Sequence, residues 1–339
     1  MADPQASLSE LVTVVVTTSP SPVQPSTELI EQVLRSMVVH APALSDARVI
    51  AVCDGCKTSE KNMWRSGRVN DEARHRYEDY KDRLRNSLGP GAVDRGLPSR
   101  CELLELPTNH GFGFAVRAAL AQIATPLVCV LQHDRVFMRN VELDEVARTM
   151  LDSEGRVGYV LLPTRSTLNY VVKQSSRLAA KGMKSPDCDI DRWALPLPAD
   201  GRRLLPCLTW YDSTHLCLTS YYNDFVFSSK ERLVKRGGFI EGELGQLQLP
   251  EFAARGVPAA LERWRTYLYD DGEEAPIVGH LNGCRYEAWD VLNEKFGAFG
   301  NGRVGRRWDG AAADGVCQAE GSSHPEQQEE VEEDPGGDT

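Results

Sequence analysis

The sequence has no apolar run of the roughly 18 residues that a membrane span requires. Its longest such run, at 11–16, is the length of a single strand. The opening MADPQASLSE has neither a basic n-region nor an apolar h-region, so it does not read as a secretory signal. The expectation is a cytoplasmic chain without a membrane span. Paired cysteine motifs are also missing. The nine cysteines follow no regular framework, and Cys53-x-x-Cys56 has no second CxxC or CxxH to complete a zinc ribbon. Reduced, unpaired thiols are expected. Residues 311–339 lack Lys and Arg altogether but hold nine acids, among them Glu329, Glu330, Glu332, Glu333 and Asp334. These nine carry most of the net charge of −11, leaving about −2 on the rest. A nearly neutral body has no basic footprint for nucleic acid.

What is present is an alternation of strands and helices. Residues 11–18 form a nearly continuous β-branched run, as expected of a strand covered on both faces. Pro20, Pro22 and Pro25 break the chain, and Ser26 or Thr27 is placed to cap a helix. Leu29, Ile30, Val33, Leu34 and Met37 recur at helical spacing. A second strand at 48–53 ends in Asp54-Gly55, and Tyr77, Tyr80, Leu84 and Leu88 stripe a charged helix. A third strand at 101–106, a helix at 114–123 and a fourth strand at 127–131 follow. This order predicts βαβ units and a mostly parallel, Rossmann-like sheet flanked by helices. The second half is less regular. Strands are expected at 157–163, 208–222, 224–227 and 264–269, helices at 231–236 and 249–255, and a loop at 181–206. The simplest division is a disordered 1–10, one domain at 11–309 and a disordered acidic tail at 310–339, with the domain split functionally at 137.

Two strand-end acids carry the functional argument. Ligands in open α/β sheets bind outside the carboxyl ends of the strands. Asp54 at such an end is suited to hydrogen-bonding a base or ribose, and Asp134 to holding a divalent cation against a diphosphate. The loop Asn109-His110-Gly111-Phe112-Gly113 precedes a helix, so its N–H groups are candidates for phosphate.

These features resemble the family 2-type glycosyltransferases of the GT-A fold. The resemblance rests on the first apolar strand, Asp54-Gly55, the Asn109, Gly111, Ala115, Arg117 segment, and Gln132-His133-Asp134 where the family has Asp-x-Asp. It covers 11–137 well and the remainder weakly. It implies a transferase that moves a sugar from a nucleotide-diphosphate sugar to an acceptor hydroxyl with inversion, assisted by Mn²⁺ or Mg²⁺. Donor contacts would come from Thr17, Thr18, Asp54, Asn109, Gly111, Arg117 and Gln132. Asp134 and His280 would hold the metal. A general base is expected after a Gly-Gly-Phe turn, here Gly237-Gly238-Phe239, so Glu241 and Glu243 are the candidates. Glu241 keeps the spacing to that turn. Trp210 and Asp212, with Tyr211 and His215, form an aromatic–polar cluster suited to an acceptor sugar.

One departure weakens the metal motif: Gln132 replaces its first Asp and brings no charge. A binding or scaffold protein without turnover is therefore the alternative. A nucleotidyltransferase would need a basic glycine-rich loop after the first strand, where this chain has Ser-Pro-Ser-Pro.

Overall fold

The computed structural model describes residues 6–198 and 201–283. The expected acidic tail lies outside the described residues. Order begins earlier than expected, at helix α1 (Leu8–Leu11), whose Leu8 and Leu11 are buried. The Glu10 carboxylate accepts the Ser7 N–H and hydroxyl at 2.8 Å each, closing this turn.

Strand β1 (Val12–Thr18) is buried along its whole length. Helix α2 (Glu28–His40) buries the periodic set Leu29, Ile30, Val33, Leu34 and Met37. Strand β2 (Arg48–Cys53) comes next, followed by the two-residue strands β3 (Lys57–Thr58) and β4 (Arg68–Val69), which pair in a separate small sheet. Helix α3 (Asp71–Ser87) is capped by Asn70, whose side chain accepts the Ala73 N–H, and it buries Tyr77, Tyr80 and Leu84. Strand β5 (Cys101–Glu105), helix α4 (Gly111–Leu120) and strand β6 (Leu127–Gln132) complete the first half. Strand β7 (Arg135–Phe137) turns away from the main sheet, and helix α5 (Leu143–Asp152) follows it.

Strand β8 (Tyr159–Leu161), helix α6 (Tyr170–Ala180) and strands β9 (Leu195–Pro196), β10 (Arg203–Pro206) and β11 (His215–Leu218) form the next stretch. The short helix α7 (Thr219–Tyr221) runs into a π-helical turn, Tyr222–Val226. Helices α8 (Ile240–Arg255) and α9 (Val257–Trp264) then lead to strands β12 (Thr266–Asp270) and β13 (Val278–His280).

Among the described residues the main sheet runs β5-β2-β1-β6-β11-β8-β12-β10-β9. The block β5-β2-β1-β6 is parallel, as the sequence predicts. Strand β11 joins β6 and β8 antiparallel, β12 is parallel to β8, and β10 and β9 close the far edge antiparallel. The chain is thus a mixed α/β protein, with α4 packed on β1 and β2. Chain order reverses between β1 and β6, which makes their carboxyl ends the natural crevice.

The second half departs from expectation in particular places. Residues expected as a strand at 224–227 lie in the π-helical turn, because Tyr221, Tyr222 and Phe225 pack into the aromatic core around Trp210 and Trp264. The helix expected at 231–236 is a turn. Trp264 ends helix α9 rather than starting a strand, with Arg265 at a left-handed φ of +48°. Helix α8 begins at Ile240 and continues through the exposed Pro250, so the helix expected at 249–255 is only its C-terminal part.

Candidate active site

Strands β1 and β6 are in register from Val12↔Leu127 to Thr17↔Gln132, and the His133 N–H extends the ladder to the Thr17 carbonyl at 3.0 Å. The chain then turns at His133-Asp134 into β7, which pairs antiparallel with β13. That pairing brings His280 to Asp134 across the long sequence separation. His280 Nε2 lies 3.1 Å from Asp134 Oδ2, and the Gly283 N–H donates to the same oxygen at 3.2 Å. Burial alone would raise the Asp134 carboxyl. The His280 hydrogen bond, the neighbouring imidazoles and the Gly283 N–H outweigh it and hold the group well below the usual carboxylate range. Burial pushes the His133 imidazole down, and this ring lines a small internal cavity with Thr18, Ser21, Gln24 and Tyr80.

Gln132, on the last residue of β6, donates from Nε2 to the Asp212 carbonyl at 2.6 Å. It therefore ties β6 to the loop before β11. That loop grips the start of α8 in return. Asp212 Oδ2 accepts the Glu241 N–H at 3.1 Å, and Glu241 Oε2 accepts the Asp212 N–H at 3.2 Å. Glu241 is exposed, whereas Glu243 is half-buried, and its carboxylate lies near the Gly238 turn. Only Glu241 is bound directly to the segment that Gln132 holds.

The donor-side residues have been given other partners than a ligand. Asp54, 4% exposed, accepts the His110 and Gly111 N–H groups at 2.8 Å each and Asn109 Nδ2 at 3.2 Å. It is the anion at the N-terminus of α4, where the sequence suggests phosphate; the loop's N–H groups face this internal carboxylate instead. Burial raises the Asp54 carboxyl, and the backbone N–H groups partly offset that. Asn109 also bonds the Gly55 carbonyl, at 3.3 Å. Thr17 and Thr18 are buried, with their hydroxyls turned to the Leu131 carbonyl and to Tyr80. Arg117 stacks on Phe114 and Phe227. It shares an outer groove of about 310 Å³ with His110, Phe114, Ala118 and Arg236, and none of these residues belongs to the Asp134–His280 pair.

Trp210, Asp212 and His215 of the expected acceptor cluster are core, and Tyr211 is half-buried against them. Trp210 is fully buried, 4.2 Å from the Tyr159 ring, and its Nε1–H donates to Asp212 Oδ1 at 3.1 Å. It cannot stack on a sugar. Asp212 is buried as well, and its side chain caps α8 rather than facing solvent. Burial pushes its carboxyl up to about 8, despite the N–H donors on both oxygens. His215 is neutral core: burial lowers it to about 4, its Nδ1 lies against the Ser213 carbonyl, and Nε2 bonds the Tyr222 hydroxyl at 2.6 Å.

Arg135 was missed by the sequence reading. It is the first residue of β7, opposite His280 in the ladder, and so on the same face as that imidazole. Its guanidinium lies within electrostatic reach of both Asp134 and Glu241, yet its Nε is buried without a hydrogen-bond partner. No local pattern marks it; only the pairing of 135–137 with 278–280 reveals its place.

No family model matches the chain, and no curated protein matches it. Among solved structures it is similar to glucosyl-3-phosphoglycerate synthase from Mycobacterium tuberculosis, in complex with Mn²⁺, UDP and glucosyl-3-phosphoglycerate. Identity there is 15%, with 86% of this chain and 81% of that chain covered and a TM-score of 0.39. Residues 1–349 of S. aureus TarS give 16% identity, coverage of 77% and 58%, and a TM-score of 0.36. The mannosyltransferase PcManGT from Pyrobaculum calidifontis, in complex with GDP-Man and Mn²⁺, gives 17%, coverage of 50% and 40%, and 0.30. The chain therefore spans less than two thirds of the TarS fragment and of the mannosyltransferase.

Proposed function

We propose that this protein is a glycosyltransferase that moves a sugar from a nucleotide-diphosphate sugar to an acceptor hydroxyl. The observation that carries the reading is the crevice at the β1/β6 reversal. There Asp134 lies beside His280 from β13, and the exposed Glu241 at the start of α8 is tied to the end of β6 through Asp212 and Gln132.

The residues fit a divalent cation only in part. Asp134 offers a carboxylate whose Oδ1 has no hydrogen bond among the described residues, and His280 offers an imidazole nitrogen. Among the described residues no group of three acids, imidazoles or thiols converges. A mixed oxygen–nitrogen pair suits Mn²⁺ better than the all-oxygen preference of Mg²⁺. When bound, such an ion would neutralise charge on the departing diphosphate. The remaining work falls to the chain. Glu241, fixed by the Asp212 N–H through one carboxylate oxygen, accepts the acceptor's hydroxyl proton on the other. The deprotonated oxygen attacks the anomeric carbon as the bond to the diphosphate oxygen breaks. Attack from the side opposite the leaving group inverts that carbon. Gln132 keeps the Asp212 loop, and with it Glu241, in register with β6.

A scaffold without turnover has Gln132 in its favour. The two readings separate on one experiment: release of UDP or GDP from a panel of their sugars, with simple sugars and polyols as acceptors. Glu241→Gln should lower kcat by about 10²–10⁴-fold, the usual contribution of a general base, with donor affinity unchanged. Turnover in the wild type that Glu241→Gln leaves intact would remove the assigned base. Donor binding with no turnover by any acceptor would favour the scaffold.

A further inference from the structure

Among the described residues Arg135, a half-buried side chain, forms no ion pair. A guanidinium does not shed its proton in a protein, so burial cannot be relieved by neutralisation. Such groups are held by carboxylates or by a bound anion. Here the two nearest acids are engaged elsewhere. Asp134 Oδ2 takes His280 and the Gly283 N–H, and Glu241 Oε2 takes the Asp212 N–H. Neither forms an ion pair with Arg135, and its buried Nε has no hydrogen-bond partner among the described residues. The other arginines near the sheet edge differ: Arg139 is bidentate on Asp271 at 2.6 and 3.0 Å, and Arg203 bonds Asp270 at 2.8 Å.

Position narrows the anion. Arg135 lies within electrostatic reach of the acid proposed to face the diphosphate and of the acid proposed to face the acceptor, on the face it shares with His280. Gln132 leaves this crevice one carboxylate short, so protein-held metal ligands are few and positive charge must come from another source. We infer that Arg135 is the chain's own counter-ion for the leaving diphosphate, so that nucleotide-diphosphate binding persists in part without metal. This rests on the transferase reading above. During transfer the sugar–oxygen bond breaks, its electron pair stays on the diphosphate oxygen, and the added negative charge develops beside the guanidinium.

The test is titration of the full chain with UDP and with GDP in EDTA, comparing wild type, Arg135→Gln and Arg135→Lys, with uridine and guanosine as phosphate-free controls. Arg135→Gln should weaken diphosphate binding by about ten- to a hundredfold, the range of a hydrogen bond to a charged group. Arg135→Lys should restore part of it, because an ammonium keeps the charge but not the fork. Nucleoside binding should not change. The melting temperature of ligand-free Arg135→Gln should stay level, because the half-buried guanidinium makes no ion pair among the described residues. Equal UDP and GDP affinities for wild type and Arg135→Gln would overturn the inference and leave the transferase reading standing. A lower melting temperature of ligand-free Arg135→Gln would overturn it too, by showing a protein partner for the guanidinium. Failure of the wild type to bind either nucleotide, with or without Mn²⁺, would instead defeat the transferase reading itself.

Discussion

A carboxylate at a strand end can hold a ligand or a helix, and the residue type does not say which. Asp54 and Asp134 occupy equivalent stations on β2 and β6. Asp54 is enclosed by three donors from 109–111 and serves α4, while among the described residues Asp134 accepts hydrogen bonds on one oxygen only. The sequence identifies both acids but not their partners, because the partner of one is a loop about 55 residues on and that of the other a strand 146 residues on. Asp212 makes the same point from inside the core. Folded, it keeps its proton up to about pH 8; unfolded, it releases it near 4. Between those values the folded state binds the extra proton, so this group's contribution to stability is present at low pH and is lost as pH rises toward 8. Urea unfolding of wild type across pH 4–8 should show that decline, and Asp212→Asn should flatten it. An identical slope in the variant would show that Asp212 does not titrate there.

At the scale of elements, local periodicity was a sound guide where each element closes on itself. The β-branched β1, the striped α2 and α3 and the parallel block around them could all be read from spacing. The second half could not, because its elements are set by one aromatic core. Tyr159, Trp210, Tyr221, Tyr222, Phe225 and Trp264 pack together from five segments, and the same residue types alternate like a strand in the sequence. The junction of α4 and α8 depends on a glycine for a reason sequence alone does not show. Gly111 has φ +73°, and a Cβ there would lie 2.7–2.9 Å from the backbone of Gly237, whose N–H bonds the His110 carbonyl. Gly111→Ala should therefore cost about 1–3 kcal/mol of stability, from the strained conformation with backbone contact added. Because the turn carrying Glu241 rests on this contact, the variant's turnover should fall as well. Wild-type stability in Gly111→Ala, measured by thermal or urea unfolding, would mean the two loops do not meet as described.

For the molecule as a whole, the described residues form one α/β body in which no helix is long and apolar enough to cross a membrane. Its sheet changes character at β6: the parallel half leads to Asp134, the Gln132–Asp212–Glu241 bonds tie the mixed half to the same strand, and β13, paired with β7 in a separate sheet, brings His280 to Asp134. The proposed site thus draws on both halves, and the resemblance covering 11–137 names only part of it. The central claim is that the crevice at Asp134 receives a nucleotide diphosphate together with a divalent ion. Calorimetric titration of UDP and GDP into wild type and Asp134→Ala, each with and without Mn²⁺, tests it most directly. The account predicts wild-type binding that tightens with Mn²⁺ and an Asp134→Ala variant in which the Mn²⁺ effect is gone. Equal tightening by Mn²⁺ in both proteins would contradict it, as would the absence of binding by either nucleotide.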